Sequence, residues 1–130
     1  MPIFSPIQEN EAKGKVKEIF EDIKQKRNIK FVNNFWKMLA NEPETLERTW
    51  NSLQQVMKKG ALDEITKELI YIAVSITNSC EYCIKSHSAA ALKKGATKDM
   101  LAELNAVVGM ANETNKLVES YQVKVDEIYE

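Results

Sequence analysis

Apolar residues recur at spacings of three and four along most of the chain, the period of helices with one buried face, and only four glycines and three prolines interrupt them. No stretch reads convincingly as a strand, so the pattern predicts an all-α fold. The first stripe, Val16, Ile19, Phe20 and Ile23, predicts a helix from just after Asn10 to about Arg27. A shorter helix after Asn33 is expected to carry Phe35, Trp36 and Leu39 toward a core. Asn41-Glu42-Pro43-Glu44 reads as a break and a restart, because proline fits a first helical turn and acidic side chains there suit the helix dipole. The helix that follows should end at Gly60, with Leu46, Trp50, Leu53 and Met57 inward.

Asp63 is a good N-cap for a fourth helix reaching about Thr77, which holds Glu68 among Ile65, Leu69, Ile72 and Ile76. Asn78 and Ser79 interrupt it, and a fifth helix is expected from about Cys80 to Lys94, where Gly95 supplies a left-handed stop. Thr97 caps a sixth helix with Met100, Leu101, Leu104 and Val108 on its apolar face. A last helix after Asn112 would carry Leu117, Val118, Tyr121, Val125 and Ile128, a stripe suited to covering the core or a second subunit. The sum is a helical bundle of about six to seven helices, and 130 residues suit one domain over 1–130.

Composition narrows the class. Hydrophobic residues make up 44% of the chain and charged ones 28%, the balance of a soluble globular protein rather than a disordered or membrane one. Eighteen basic residues nearly cancel nineteen acidic ones and form no basic block, which argues against nucleic acid as a partner. The opening segment Met1-Pro2-Ile3-Phe4-Ser5-Pro6 lacks the pattern of a secretory signal, and the longest apolar run, Leu69 to Ile76, is too short for a membrane span. A cytoplasmic location is therefore expected.

The candidate chemistry lies in Cys80-Glu81-Tyr82-Cys83-Ile84-Lys85-Ser86-His87. The chain has two cysteines, and a spacer this short makes a poor structural disulfide but a good redox or metal-binding pair. Helical spacing sets Cys83 one turn from Cys80 and His87 one turn beyond Cys83, so two sulfurs and the chain's one imidazole share a face. A thiol attacks as its thiolate, and the amide groups and positive dipole end of a helix start favour that anion. The second sulfur is near enough to trap a sulfenic acid formed on the first, giving a disulfide that an external dithiol reopens. His87 is placed to exchange a proton beside Cys83, and Glu68, on a helix joined to this one by a short connection, could orient it.

Other readings fit the same residues. The cysteines can be small core residues, or two ligands of a zinc ion with His87 and either Glu68 or Glu81. Glu68, beside Lys67 and one turn after Glu64, can lie on a solvated face; Trp36, Trp50 and Tyr82 read as core or pocket wall.

The run Glu68, Cys80, Cys83, His87, followed by Ala90-Ala91-Leu92 and Gly95-Ala96-Thr97, resembles the alkylhydroperoxidase D and carboxymuconolactone decarboxylase-like family. The spacing Glu-x11-Cys-x2-Cys-x3-His is matched throughout, and the likeness extends from Glu68 to about Leu104. The resemblance implies an all-α fold, a homo-oligomer (trimer or hexamer), and thiol-dependent peroxidase or disulfide oxidoreductase activity on hydroperoxides, with no metal or organic cofactor. It assigns Cys83 as the peroxidatic thiol, Cys80 as the resolving one, and His87 with Glu68 as the proton relay. The electron donor implied is a dithiol, in better-studied members a lipoylated protein. Members often carry a histidine where this chain has Tyr82, and the chain resembles the single-lobed members in length. The rival enzyme reading is a lactone decarboxylase or isomerase in which Glu68 and His87 do acid/base work; the rival outside catalysis is a zinc-stabilised or oligomeric interaction protein.

Overall fold

The computed structural model describes residues 2–130; Met1, the first residue of the opening segment read above, lies outside the described residues. Six α-helices follow in order: α1 Gly14–Arg27, α2 Asn34–Leu39, α3 Pro43–Met57, α4 Glu64–Thr77, α5 Glu81–Lys93 and α6 Lys98–Ser120. Short 3-10 turns occupy Glu9–Glu11 and Glu127–Tyr129, and no strand occurs among the described residues. The chain divides into two compact units, one up to Val56 and one from Met57 onward.

The first unit is held by Val16, Ile19, Phe20 and Ile23 of α1 against Val32, Trp36, Ala40, Leu46 and Trp50. Full burial of side chains this size is worth roughly 1.5–3 kcal/mol each. The Trp50 indole N–H donates to Asp22 Oδ2 at 2.8 Å, and the Arg27 guanidinium lies over both tryptophan rings, 5.2 Å from Trp50 and 5.5 Å from Trp36.

The second unit packs α4 against α5 and α6. Its core is Ile72, Ala91 and Ala96, edged by Ile65, Leu69, Ile76, Met100, Leu101 and Leu104. Asp63 caps α4 by accepting the Thr66 amide at 2.7 Å. Ala91 of α5, buried against Ile72 of α4, leaves room for the two helices to come close, which brings polar side chains from facing turns within hydrogen-bonding range.

Several expectations need correction. The first helix begins at Gly14 rather than after Asn10, because Glu9–Glu11 form a separate 3-10 turn. The third ends at Met57, short of Gly60. Phe35 is 41% exposed and edges onto Trp36 instead of entering the core, since the six-residue α2 buries one face and gives it to Trp36. Tyr82 is likewise exposed. The break at Asn112 does not occur: α6 runs through it, with the Asn112 amide donating to Val108 O and Thr77 Oγ1 at 2.9 and 3.1 Å. An asparagine satisfied in this way no longer competes with the helix.

Candidate functional site

The end of α4 and the start of α5 share one piece of backbone. Ser79 takes a left-handed conformation (φ 58°), its N–H donates to Ile76 O at 3.1 Å, and the Cys80 N–H donates to Ser75 O at 2.9 Å. This is the Schellman arrangement that closes a helix. Cys80 completes the turn and at once becomes the N-cap of α5, its sulfur accepting the Cys83 N–H at 3.4 Å. Both cysteines are free thiols, partly buried. The Cys83 thiol is pushed up, first by its hydrogen bond to Cys80, then by burial and by charge on Cys80, while the Ser75 hydroxyl pulls the other way.

Glu68, which the sequence left undecided between a solvated face and a site, is 4% exposed. Its Oε2 accepts from His87 Nδ1 at 2.7 Å and its Oε1 from Lys94 Nζ at 2.9 Å. Burial works against its ionisation, but the hydrogen bonds from His87 and Lys94 and the charge on Lys94 win, so its carboxyl lies below the usual carboxylate range. An ionised Glu68 can only accept, which puts a hydrogen on Nδ1, so that the site through which the ring gives or takes a proton is Nε2. The His87 ring stacks on Tyr71 with centroids 3.7 Å apart and planes 22° from parallel. Burial raises the Tyr71 phenol, and negative charge on Cys83, Cys80 and Glu68 raises it further, so the phenol lies within electrostatic reach of all three.

The structure thus gathers the four sequence-selected residues, Glu68, Cys80, Cys83 and His87, about Tyr71, and adds Ser75 and Lys94. Those last three escaped the sequence reading, although a signal existed. Tyr71 and Ser75 lie three and seven residues after Glu68, on its face of α4, and Lys94 lies seven after His87, at the C-cap of α5. Lys94 and His87 meet Glu68 while the cysteines meet Ser75, the pairing of two antiparallel helices. Glu68 and Ser75 are the buried polar residues among those described, and both belong to this cluster.

No group of three or more His, Cys, Asp or Glu side chains among the described residues could hold a metal ion. The two carboxylates considered as fourth zinc ligands are otherwise engaged: both Glu68 oxygens are taken, and the exposed Glu81 pairs with Lys85 at 2.6 Å. Among the described residues no helix is long and apolar enough to cross a membrane.

Paired thiols at a helix start, next to a carboxylate–imidazole couple on an all-α scaffold, make a site equipped for redox or acid/base chemistry. Residues 43–123 match the carboxymuconolactone decarboxylase family, and the chain belongs to that family. The alkylhydroperoxidase AhpD core from Rhodospirillum rubrum superposes with a TM-score of 0.85 at 50% identity, over 88% of this chain and 85% of that one. The alkyl hydroperoxide reductase AhpD of Corynebacterium aurimucosum is 29% identical over 69 residues, 53% of this chain and 39% of that protein. An uncharacterized protein of the cox locus of Paracoccus denitrificans is 42% identical over 48 residues, 37% of this chain and 43% of that protein. The chain spans about half the length of the first curated relatives it matches.

Proposed function

We propose that the protein is a thiol-dependent peroxidase, or a disulfide oxidoreductase, that works through Cys80 and Cys83. The observation that carries this reading is a buried Glu68 holding at 2.7 Å the Nδ1 of His87, which lies on the same helix that Cys80 caps and that carries Cys83 in its first turn. Likeness to the Rhodospirillum rubrum AhpD core supports it. His87 Nε2 takes the proton of the Cys83 thiol, directly or through water. The Cys83 thiolate attacks one oxygen of a hydroperoxide; the S–O bond forms, the O–O bond breaks, and the alcohol leaves with the proton returned by His87. Cys80 then attacks the Cys83 sulfenic acid, forming the disulfide and releasing water. The peroxide gains two electrons, the thiol pair loses two, and an external dithiol, such as that of a lipoylated protein, restores both cysteines. The chemistry needs no metal or organic cofactor. The working unit in this reading is one domain assembled as a homo-oligomer, a trimer or hexamer, in the cytoplasm.

The test is hydroperoxide consumption with dithiol regeneration. Cys83→Ser should abolish turnover. Cys80→Ser should stall after one equivalent with a trappable sulfenic acid, and His87→Gln should slow the rate by about 10²-fold. Turnover by Cys83→Ser equal to wild type removes the cysteine mechanism. A wild type that consumes no hydroperoxide would favour the second reading, a lyase or isomerase of a small lactone or acid, which the 2.7 Å Glu68–His87 pair could serve without any thiol.

A further inference from the structure

Glu68 has two carboxylate oxygens and each has a different donor: His87 of α5 on Oε2 and Lys94, the C-cap of α5, on Oε1. Lys94 is the last residue before the turn at Gly95 (φ 112°), where Gly95 N–H donates to Leu92 O at 3.1 Å and Ala96 N–H to Ala91 O at 2.9 Å. That closed turn fixes the lysine backbone two helical turns from His87 on the same face. The ammonium reaches back 2.9 Å to Glu68 and lies 3.6 Å from Glu64, whose side chain is 52% exposed against 5% for Glu68. We propose that Lys94 is a positioning residue of this site: by holding one oxygen of Glu68 it turns the other onto His87 Nδ1 and so leaves His87 Nε2 free to accept a proton.

Rotation about the terminal bond of a glutamate is soft, so a carboxylate with one partner has no fixed plane, whereas two donors on opposite oxygens define one. The groups acting on Glu68 are His87 of α5 and Lys94 at its C-cap, with Glu64, one turn back on α4, sharing the same ammonium. Without Lys94 the buried Glu68 keeps one hydrogen bond against its full desolvation. It then either protonates and donates to Nδ1, or swings toward water; in both cases the hydrogen on His87 moves to Nε2 and proton acceptance there is lost. The neighbouring Lys93 carries the same charge but sits a hundred degrees around the helix, so it serves as the control.

The inference rests on the proposed role of His87 as proton acceptor, but its test does not. His87 is the only histidine of the chain, so nitrogen NMR of histidine-labelled protein reads one ring. Wild type near neutral pH should show the Nδ1–H tautomer. Lys94→Met should convert the ring largely to Nε2–H and slow alkylation of Cys83 about tenfold or more, Lys94→Arg should restore both, and Lys93→Met should change neither. An Nε2–H ring in wild type, or Lys94→Met with the wild-type tautomer, overturns the proposal, and the wild-type spectrum decides even if the methionine variant does not fold. A tautomer change in Lys94→Met alongside an inactive peroxide assay would retain the positioning role and discard the peroxidase.

Discussion

Ser75 touches both cysteines by different means. Its backbone carbonyl holds the Cys80 N–H at 2.9 Å, while its hydroxyl, which donates to Tyr71 O at 2.7 Å, also lies beside the Cys83 sulfur. The single hydroxyl hydrogen serves one acceptor at a time; turned from Tyr71 O to the sulfur it stabilises the thiolate more than the thiol, and so pulls the Cys83 pKa down against the larger upward push of Cys80 and burial. The sign for Ser75→Ala follows: the thiolate loses a donor, the thiol loses little, and the Cys83 pKa rises further. Because the carbonyl that sets Cys80 belongs to the backbone, the substitution leaves the turn intact and should cost no more than the buried hydroxyl's one hydrogen bond, about 1 kcal/mol. Alkylation rates followed against pH, resolved at each cysteine by fragmentation mass spectrometry, should move to higher pH for Cys83. A profile unchanged in Ser75→Ala would show that the hydroxyl has no hold on the sulfur.

At the scale of elements, the legible helix ends were those closed by a local cap. Asp63, Thr97 and Gly95 announce the boundaries of α4, α5 and α6 because each satisfies orphan backbone groups locally, through Thr66 N, Met100 N and a left-handed turn. Asn112 announced a break that is absent, since its partner Thr77 lies on another helix and local sequence does not reveal it. The candidate site divided the same way. Cys80, Cys83 and His87 lie on one helix and could be read from spacing, whereas Lys94 and Tyr71 matter through Glu68 and His87 across the α4–α5 contact. Ser79 shows how the two helices are joined: a non-glycine residue at φ 58° pays a steric penalty of about 1 kcal/mol to hold Cys80 at the N-cap. Ser79→Gly removes that penalty but makes the unfolded chain freer, which offsets part of the gain. The net expectation is a stabilisation of about 0.5 kcal/mol in urea unfolding, with peroxide turnover unchanged; a loss of stability would mean that the Ser79 side chain makes a contact worth more than its strain.

For the molecule as a whole, the telling contrast is between the two cores. The first unit buries two tryptophans, Phe20, Leu46 and three isoleucine or valine residues of α1. The second, which carries the site, buries only Ile72, Ala91 and Ala96 in its main cluster. Its large apolar side chains lie outside instead: Val107, Met110, Leu117 and Val118 of α6 and Tyr121 at its C-cap run along one side, each about half exposed or more. These positions fall three, seven, one and three residues apart, which keeps all five within about a hundred degrees of the helix circumference, a face made to be covered. An apolar face of this length on a folded protein is a docking surface or a liability, and a second copy of the chain, bearing the same stripe, offers a self-complementary partner. The expected result in sedimentation equilibrium is therefore a mass that is a multiple of the 14.8 kDa chain. Leu117→Asp should shift it toward the single-chain value, because a carboxylate in an apolar contact loses its hydration without gaining a partner. Since association stabilises the folded state by mass action, the melting temperature of the wild type should climb with protein concentration while that of Leu117→Asp stays flat. A wild type that sediments as one chain, melting at the same temperature at every concentration, would leave the α6 stripe without an occupant of this kind.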